Sequence, residues 1–374
     1  MTDFNNDHYE SKTMDLSSYR SVGRSGLVVS PLALGTMTFG TRQWGAADGD
    51  ARRLFDRYLD QGGNFIDTAD IYAGGASEQM LGRFIADAGV RDQVVLATKF
   101  GFNTAASPLD PSGGGGRGNP NAGGAGAKNI HRALDASLKR LGTDYIDLYW
   151  MHIWDGVTPV DEILHTLGDL VRRGKIRYFG FSDMPAWLAM KAATIATERR
   201  VVGPIAMQVE YSLVARNIET EHVPVALDGG MAVIPWSPLA GGFLSGKYQR
   251  GSKPVSGRLS GANPFGESKF SDKNWEILAV LRQVADEQER TMAEVALAWL
   301  LGRPGVGAVL LGASKPQQLD ANLAAMSVAL SAEQRQRLDG ISATAPGFTD
   351  SLVNPAIRRM VFGGHSVRAW ADAP

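Results

Sequence analysis

Apolar and polar positions along the chain fall into two alternating rhythms. Short, nearly continuous apolar runs recur at VSPLALG (29–35), NFID (64–67), VVLATK (94–99), YIDLYWMH (145–152), IRYFGFS (176–182), AMQVEY (206–211), AVIPW (232–236) and AVLLGA (308–313). Runs of this kind suit strands buried on both faces. Between them lie stretches with helical spacing. In ARRLFDRYLDQGG (51–63), Leu54, Phe55, Tyr58 and Leu59 share a face and glycine follows the end. NIHRALDASLKRLG (129–142), VDEILHTLGDLVRRG (160–174) and TMAEVALAWLLGR (291–303) read the same way. Eight strands alternating with helices predict an α/β chain folded as a (β/α)8 TIM barrel. A doubly wound sheet would need fewer strands and a glycine-rich phosphate turn after its first. The opening YRSVGRSGLVV (19–29) sets a GRSG turn between two apolar stretches and predicts an N-terminal hairpin.

No composition shift marks a domain boundary. The expected layout is a polar extension at 1–18, a single barrel at 19–343 and a C-terminal tail at 344–374. Three segments break the rhythm. Residues 103–128, rich in Gly, Ala, Pro and Asn, follow the third strand; they read as an active-face flap, or as a glycine nest for an anion. Residues 248–270 form a second long loop, and the tail either caps part of the barrel or is disordered. Long loops of this kind are functional or mobile.

Composition narrows the function classes. Of 374 residues, 38 are basic and 39 acidic, so the formal net charge of −1 steers the chain toward neither nucleic acid nor an acidic membrane. The cysteine count is 0, which excludes disulfides, thiolate nucleophiles and Cys-ligated metals. The six histidines are scattered, with no metal-ligand spacing. The N-terminus MTDFNNDHYESKTMD has no signal-peptide pattern, and no apolar run approaches membrane-spanning length. A cytoplasmic protein with no membrane or nucleic-acid partner is the expectation.

Active sites of such barrels lie at the C-terminal ends of the strands. Those ends carry Thr36 and Met37; Asp67, then Tyr72; Lys99; His152; Ser182 and Asp183; Gln208; Trp236 and Ser237; Gly312 and Ser314. Taken singly, Asp67 reads as a helix cap, Tyr72 as a packed aromatic, Lys99 as a solvated charge and His152 as a structural histidine. Eight polar strand ends on one face point instead to a site.

At these residues the sequence resembles the aldo-keto reductase family, from about Tyr19 to Ala343. The motifs are GTMTFG (35–40), DTADIYAGGASEQMLG (67–82), ATKFG (97–101), RLGTDYIDLYWMH (140–152), GFSD (180–183), MQVEYSL (207–213), PWSPLAGGFLSGKY (235–248) and LLGASKPQQLDANL (310–323). Within the family the chain looks most like the aryl-alcohol dehydrogenase-like branch. The resemblance implies a catalytic tetrad of Asp67, Tyr72, Lys99 and His152. Carbonyl reduction needs a hydride at carbon and a proton at oxygen. A phenol is a weak acid, with an ordinary pKa of ~10. A neighbouring ammonium favours its phenolate and eases proton donation. Lys99 would supply that charge, Asp67 would hold Lys99, and His152 would orient the carbonyl.

The resemblance also implies NADPH/NADP+ as cofactor, bound without a Rossmann glycine motif. Ser182, Asp183 and Gln208 would meet its carboxamide, and Trp236 its nicotinamide face. Gly35, Thr36, Met37, Asp67 and Gly312 would also contact the cofactor. Backbone from Ser237 through Pro238 and Leu239 to Gly241 would wrap the pyrophosphate. Lys247, Arg258, Ser314, Gln318 and Asn322 would take the adenosine end, the two cations favouring a 2′-phosphate. Asp183 departs from the asparagine common there. Trp44, Phe102 and Trp154, with Tyr72 and His152, would wall a pocket for a ring-containing carbonyl or alcohol; Trp187 lies near. Potassium-channel β subunits share the fold and bind NADPH, so a regulatory partner with little turnover is the alternative. The complete tetrad leans toward an enzyme.

Overall fold

The GRSG stretch does turn a hairpin. In the computed structural model β1 (Arg20–Ser21) pairs antiparallel with β2 (Val28–Val29). The structure describes residues 14–41, 44–104, 119–251, 257–260, 267–345, 347–352 and 354–367. Much of the glycine-rich segment (105–118), 1–13 of the polar extension, 252–256 and 261–266 of the second long loop, and 368–374 of the tail lie outside the described residues.

All eight apolar runs supply a barrel strand: β3 (Leu32–Gly35), β4 (Phe65–Asp67), β5 (Val95–Phe100), β6 (Ile146–Met151), β7 (Ile176–Ser182), β8 (Ala206–Glu210), β9 (Ala232–Trp236) and β10 (Val309–Gly312). Neighbours pair in parallel in that order, and β10 returns to β3. The β9–β10 seam is narrower, held by a bridge between Val233 and Val306 and by Val233 N–H donating to the Gly305 carbonyl at 2.8 Å. The result is a nearly closed (β/α)8 barrel. The register sets Gly35 beside Asp67, Ser182 beside Gln208 and Glu210 beside Trp236, so the polar strand ends stand at one level.

The helices outside are α1 (Asp48–Asp60), α2 (Ala76–Ala88), α3 (Ala127–Leu141), α4 (Val160–Arg172), α5 (Ala186–Arg199), α6 (His222–Gly229), α7 (Asp272–Glu287), α8 (Met292–Leu301), α9 (Pro316–Leu323) and α10 (Ala332–Ile341). Their sequence logic is local. In α1 the face expected from its spacing buries Leu54, Phe55 and Tyr58, and Asp48 and Asp50 sit in the first turn, where the helix dipole favours negative charge. Helices α8 and α10 open on capping boxes, Thr291 with Glu294 and Ser331 with Gln334. Among the described residues no helix is long and apolar enough to cross a membrane.

Apolar packing has two layers. The larger lies between strands and helices. The inner one fills the barrel, where Val22, Leu27 and Val29 of the hairpin meet Phe65, Leu148, Trp150 and Ile234. The hairpin therefore stops the end where the strands begin, leaving their C-terminal ends to form the site. Each such side chain, fully buried, contributes roughly 1.5–3 kcal/mol.

The chain divides into two compact units between Ser342 and Ala343. The second unit holds α11 (Phe348–Leu352) and α12 (Pro355–Val361), the latter capped by the Asn354 side chain accepting from the Ala356 and Ile357 N–H groups.

Candidate active site

Asp67 ends β4 and Lys99 lies on β5, and both side chains are buried. The Lys99 ammonium donates to Asp67 Oδ1 and, at 2.7 Å, to the Thr68 carbonyl. Gln208 on β8 donates to the other oxygen, Asp67 Oδ2, at 3.1 Å. That donor set suits a carboxylate held against an ammonium. Burial works against the charge on both groups. On Asp67 it raises the pKa against the pull of Lys99. On Lys99 the attraction of Asp67 and Tyr72 outweighs it, and the ammonium holds its proton more tightly than usual. Two oxygen acceptors on the ammonium favour the ion-pair form.

Tyr72 opens the turn that follows β4, and Lys99 Nζ lies 5.0 Å from its ring centroid. The sequence reading expects Lys99 to make the phenol more acidic. Lys99 does pull its pKa down, yet burial outweighs that pull and, with Asp67 adding to it, leaves the pKa raised. Burial wins because the charge on Lys99 is already shared with Asp67. Tyr72 is therefore protonated at neutral pH, the state a proton donor needs.

His152, after β6, stands edge-on to Tyr72 with ring centroids 5.9 Å apart, and edge-on to Phe102 at 4.9 Å. Burial first, then Lys99, push its pKa well below the ordinary 6.5, so the imidazole is neutral. Its Nδ1 is buried without a hydrogen-bond partner. Trp154 meets Trp187 edge-on at 5.9 Å. The structure thus brings together all four expected tetrad residues, with Phe102 against the histidine.

The turn carrying Tyr72 is held from beneath by groups the sequence reading did not single out. Ala73, Gly74 and Gly75 have φ of 50°, 65° and 91°, a left-handed run that favours glycine. A Cβ on Gly75 would lie 2.9 Å from Arg140 Cδ. Arg140 in turn donates to the buried Glu78 at 2.6 Å, and Thr98 donates to the other Glu78 oxygen at 2.6 Å. Asp70 is buried nearby with neither carboxyl oxygen hydrogen-bonded, and burial, then Glu78, raise it to about 7. Glu78 and Arg140 lie inside quoted motifs; their buried pairing had no signal apart from the fold.

Around the strand ends, Thr36 is buried and donates to the Asp67 carbonyl at 3.2 Å, while Ser77 donates to its hydroxyl at 2.9 Å. Ser182 Oγ is buried and unpartnered. Asp183 has φ 44° and accepts from the Trp236 indole N–H at 3.0 Å. The residue is exposed, yet loss of solvent around its carboxyl, with Glu210 adding to the effect, raises it to about 6. After β9, Ser237, Ala240, Gly241 and Gly242 all have positive φ, of 53°, 49°, 67° and 89°. Such turns aim backbone N–H groups into a concavity fit for an anion. A Cβ on Gly242 would lie 2.7 Å from Lys247 Nζ, so the lysine stands at this turn. Ser314 donates through both its N–H and its hydroxyl to Gln318 Oε1, at 2.9 and 3.1 Å, and Asn322 is buried.

Arg258 lies on the tetrad side, its guanidinium 5.5 Å from the Trp44 ring and Nη2 3.6 Å from Met37 Sδ. It is close enough to Tyr72 for each to influence the other's proton affinity. The sequence reading puts it with Lys247 at the adenosine end. The two cations instead lie on different features, Arg258 at the mouth and Lys247 at the turn after β9. Among the described residues no group of three or more His, Cys, Asp or Glu could hold a metal ion.

Comparison with known proteins agrees with this architecture. The chain is 34% identical over 331 residues to an aryl-alcohol dehydrogenase of Pestalotiopsis microspora, covering 87% of this chain and 82% of the relative. It is 37% identical to "Uncharacterized oxidoreductase YrpG" of Bacillus subtilis, covering 86% and 95%. It is 33% identical to a protein of Oryza sativa named "Probable voltage-gated potassium channel subunit beta", covering 89% and 99%. The model of the Aldo/keto reductase family matches residues 31–343. With eight parallel strands, polar groups gathered at their ends and a family match over most of its length, the chain belongs to the aldo/keto reductase family of oxidoreductases.

Proposed function

We propose that the protein is an NADPH-dependent reductase of aldehydes or ketones, working also as an alcohol dehydrogenase when the equilibrium runs the other way. One observation carries the reading: Lys99 joins the Asp67 carboxylate while standing 5.0 Å from the ring of a protonated Tyr72, with neutral His152 edge-on to that ring. Tyr72 delivers its proton to the substrate oxygen. Lys99 stabilises the phenolate left behind, and Asp67 keeps Lys99 in place. His152, being neutral, can present an N–H to the same oxygen without competing for its proton. General acid–base help of this kind is worth about 10²–10⁴-fold.

The residues present fit a nicotinamide dinucleotide. The unpartnered Ser182 hydroxyl and the Gln208 amide can meet a carboxamide, which both donates and accepts. The turn from Ser237 to Gly242, with Lys247 beside it, fits a pyrophosphate. When bound, the reduced nicotinamide supplies the hydride to the carbonyl carbon. The preference for the phosphorylated cofactor rests on Lys247, the cation that stands at that turn. Edge-on Trp154 and Trp187, with Phe102 against His152, support a ring-containing substrate.

The test is NADPH consumption across aromatic aldehydes, sugar carbonyls and cyclic ketones, with NADH in parallel. Turnover that prefers NADPH supports the reading. Tight NADPH binding with no turnover on any carbonyl would favour a regulatory partner instead, the reading that the potassium-channel relative keeps in view.

A further inference from the structure

We propose that the Asp183 carboxylate biases the site toward the oxidised, cationic nicotinamide over its neutral reduced form, an inference that rests on the cofactor reading above. It comes from a census of charge at the mouth. Asp67 is answered by Lys99, and Glu210 by Lys269 at 2.6 Å. Tyr72 is protonated and His152 neutral. Arg258 lies over Trp44. Among the described residues Asp183 is in no ion pair; the bond it accepts comes from the uncharged Trp236 indole at 3.0 Å.

The groups that face the carboxyl are Ser182 at the end of β7, Lys99 on β5, Glu210 on β8 and Trp236 on β9. Trp236 is the side chain assigned to the nicotinamide face, so Asp183 is bonded to the edge of the platform on which the ring would lie. The backbone fixes that direction. At φ 44° Asp183 occupies the left-handed region that few residues other than Gly, Asn and Asp adopt, and its N–H donates to the Gln208 carbonyl at 3.2 Å. A non-glycine residue held in this conformation at a strand end is a feature typical of functional sites.

The two redox forms of the cofactor differ by one positive charge on the ring. A carboxylate a few ångströms away therefore distinguishes them, whereas an asparagine would not. Burial holds Asp183 at about 6, so the discrimination is present above that pH and fades below it. The cofactor's phosphates titrate alike in both forms and cancel in the ratio of affinities.

The experiment measures Kd for NADP+ and for NADPH separately, by quenching of tryptophan fluorescence, between pH 5.5 and 8. It is run on the intact protein and on Asp183→Asn, which tolerates the same φ. The intact protein should shift its affinity ratio toward NADP+ by about tenfold as pH rises through 6, the scale of one charge at short range in a site of intermediate polarity. Asp183→Asn should hold a flat ratio at the low-pH value, and Asp183→Gly, which accepts the same backbone, should match it. An unchanged ratio and pH dependence in both variants would overturn the inference while leaving the cofactor reading intact. Failure of the intact protein to bind either form would overturn the cofactor reading itself.

Discussion

At the scale of single residues, Lys99 has two jobs that different experiments separate. In the proposed mechanism it stabilises the Tyr72 phenolate; structurally it neutralises a buried carboxylate. Tyr72→Phe should cut kcat by about 10²–10⁴-fold and leave NADPH affinity near its original value, because the phenol acts on the substrate oxygen. Retained turnover in that variant would remove Tyr72 from the acid role. Lys99→Met strands the Asp67 charge and should lower stability to urea by roughly 3–5 kcal/mol. Adding Asp67→Asn should restore most of it; an equal loss in single and double variants would mean that the pair carries no such coupling. Lys247→Ala should weaken NADPH more than NADH, because in the proposed binding mode its ammonium pairs with the 2′-phosphate. Equal losses would take Lys247 out of that role.

Among the elements, the connection from β4 to α2 is the most informative. Its left-handed turn rests on Arg140, Arg140 rests on Glu78, and Asp70 is buried close by without a hydrogen-bond partner. Asp70 sits at about 7 in the folded state against 3.8 as its ordinary value. Between those values the folded protein binds more protons than the unfolded chain, so stability falls as pH rises, and the penalty is complete above pH 7. Asp70→Asn removes a penalty on the order of a few kcal/mol. Urea unfolding should show the variant gaining on the original protein from pH 5 to pH 8, and parallel pH curves would contradict the account. Strands and helices of this connection were legible because buried strands read as unbroken apolar runs and helices as a repeating face. The network beneath the turn was not, since a carboxylate meeting an arginine 62 positions away leaves no local pattern.

For the whole molecule, topology was the most legible feature. Eight apolar runs put eight polar ends on one face, and that alone located Asp67, Lys99, His152 and Ser182. What escaped depends on packing or on loops. The net direction of the Tyr72 shift is set by how deeply the ring is enclosed. The side on which Arg258 lies is set by a long loop with no periodicity to constrain it. Both features concern the mouth of the barrel, where the proposed function lies. The most direct measurement is the transfer of deuterium from the C4 position of NADPH to an aromatic aldehyde, read by mass spectrometry of the alcohol. NADPH carrying deuterium on each C4 face in turn would be used, with Tyr72→Phe alongside. The account predicts label on the carbinol carbon from one face, depleted in step with turnover in the variant. No label from either face, or undiminished transfer in Tyr72→Phe, would contradict it.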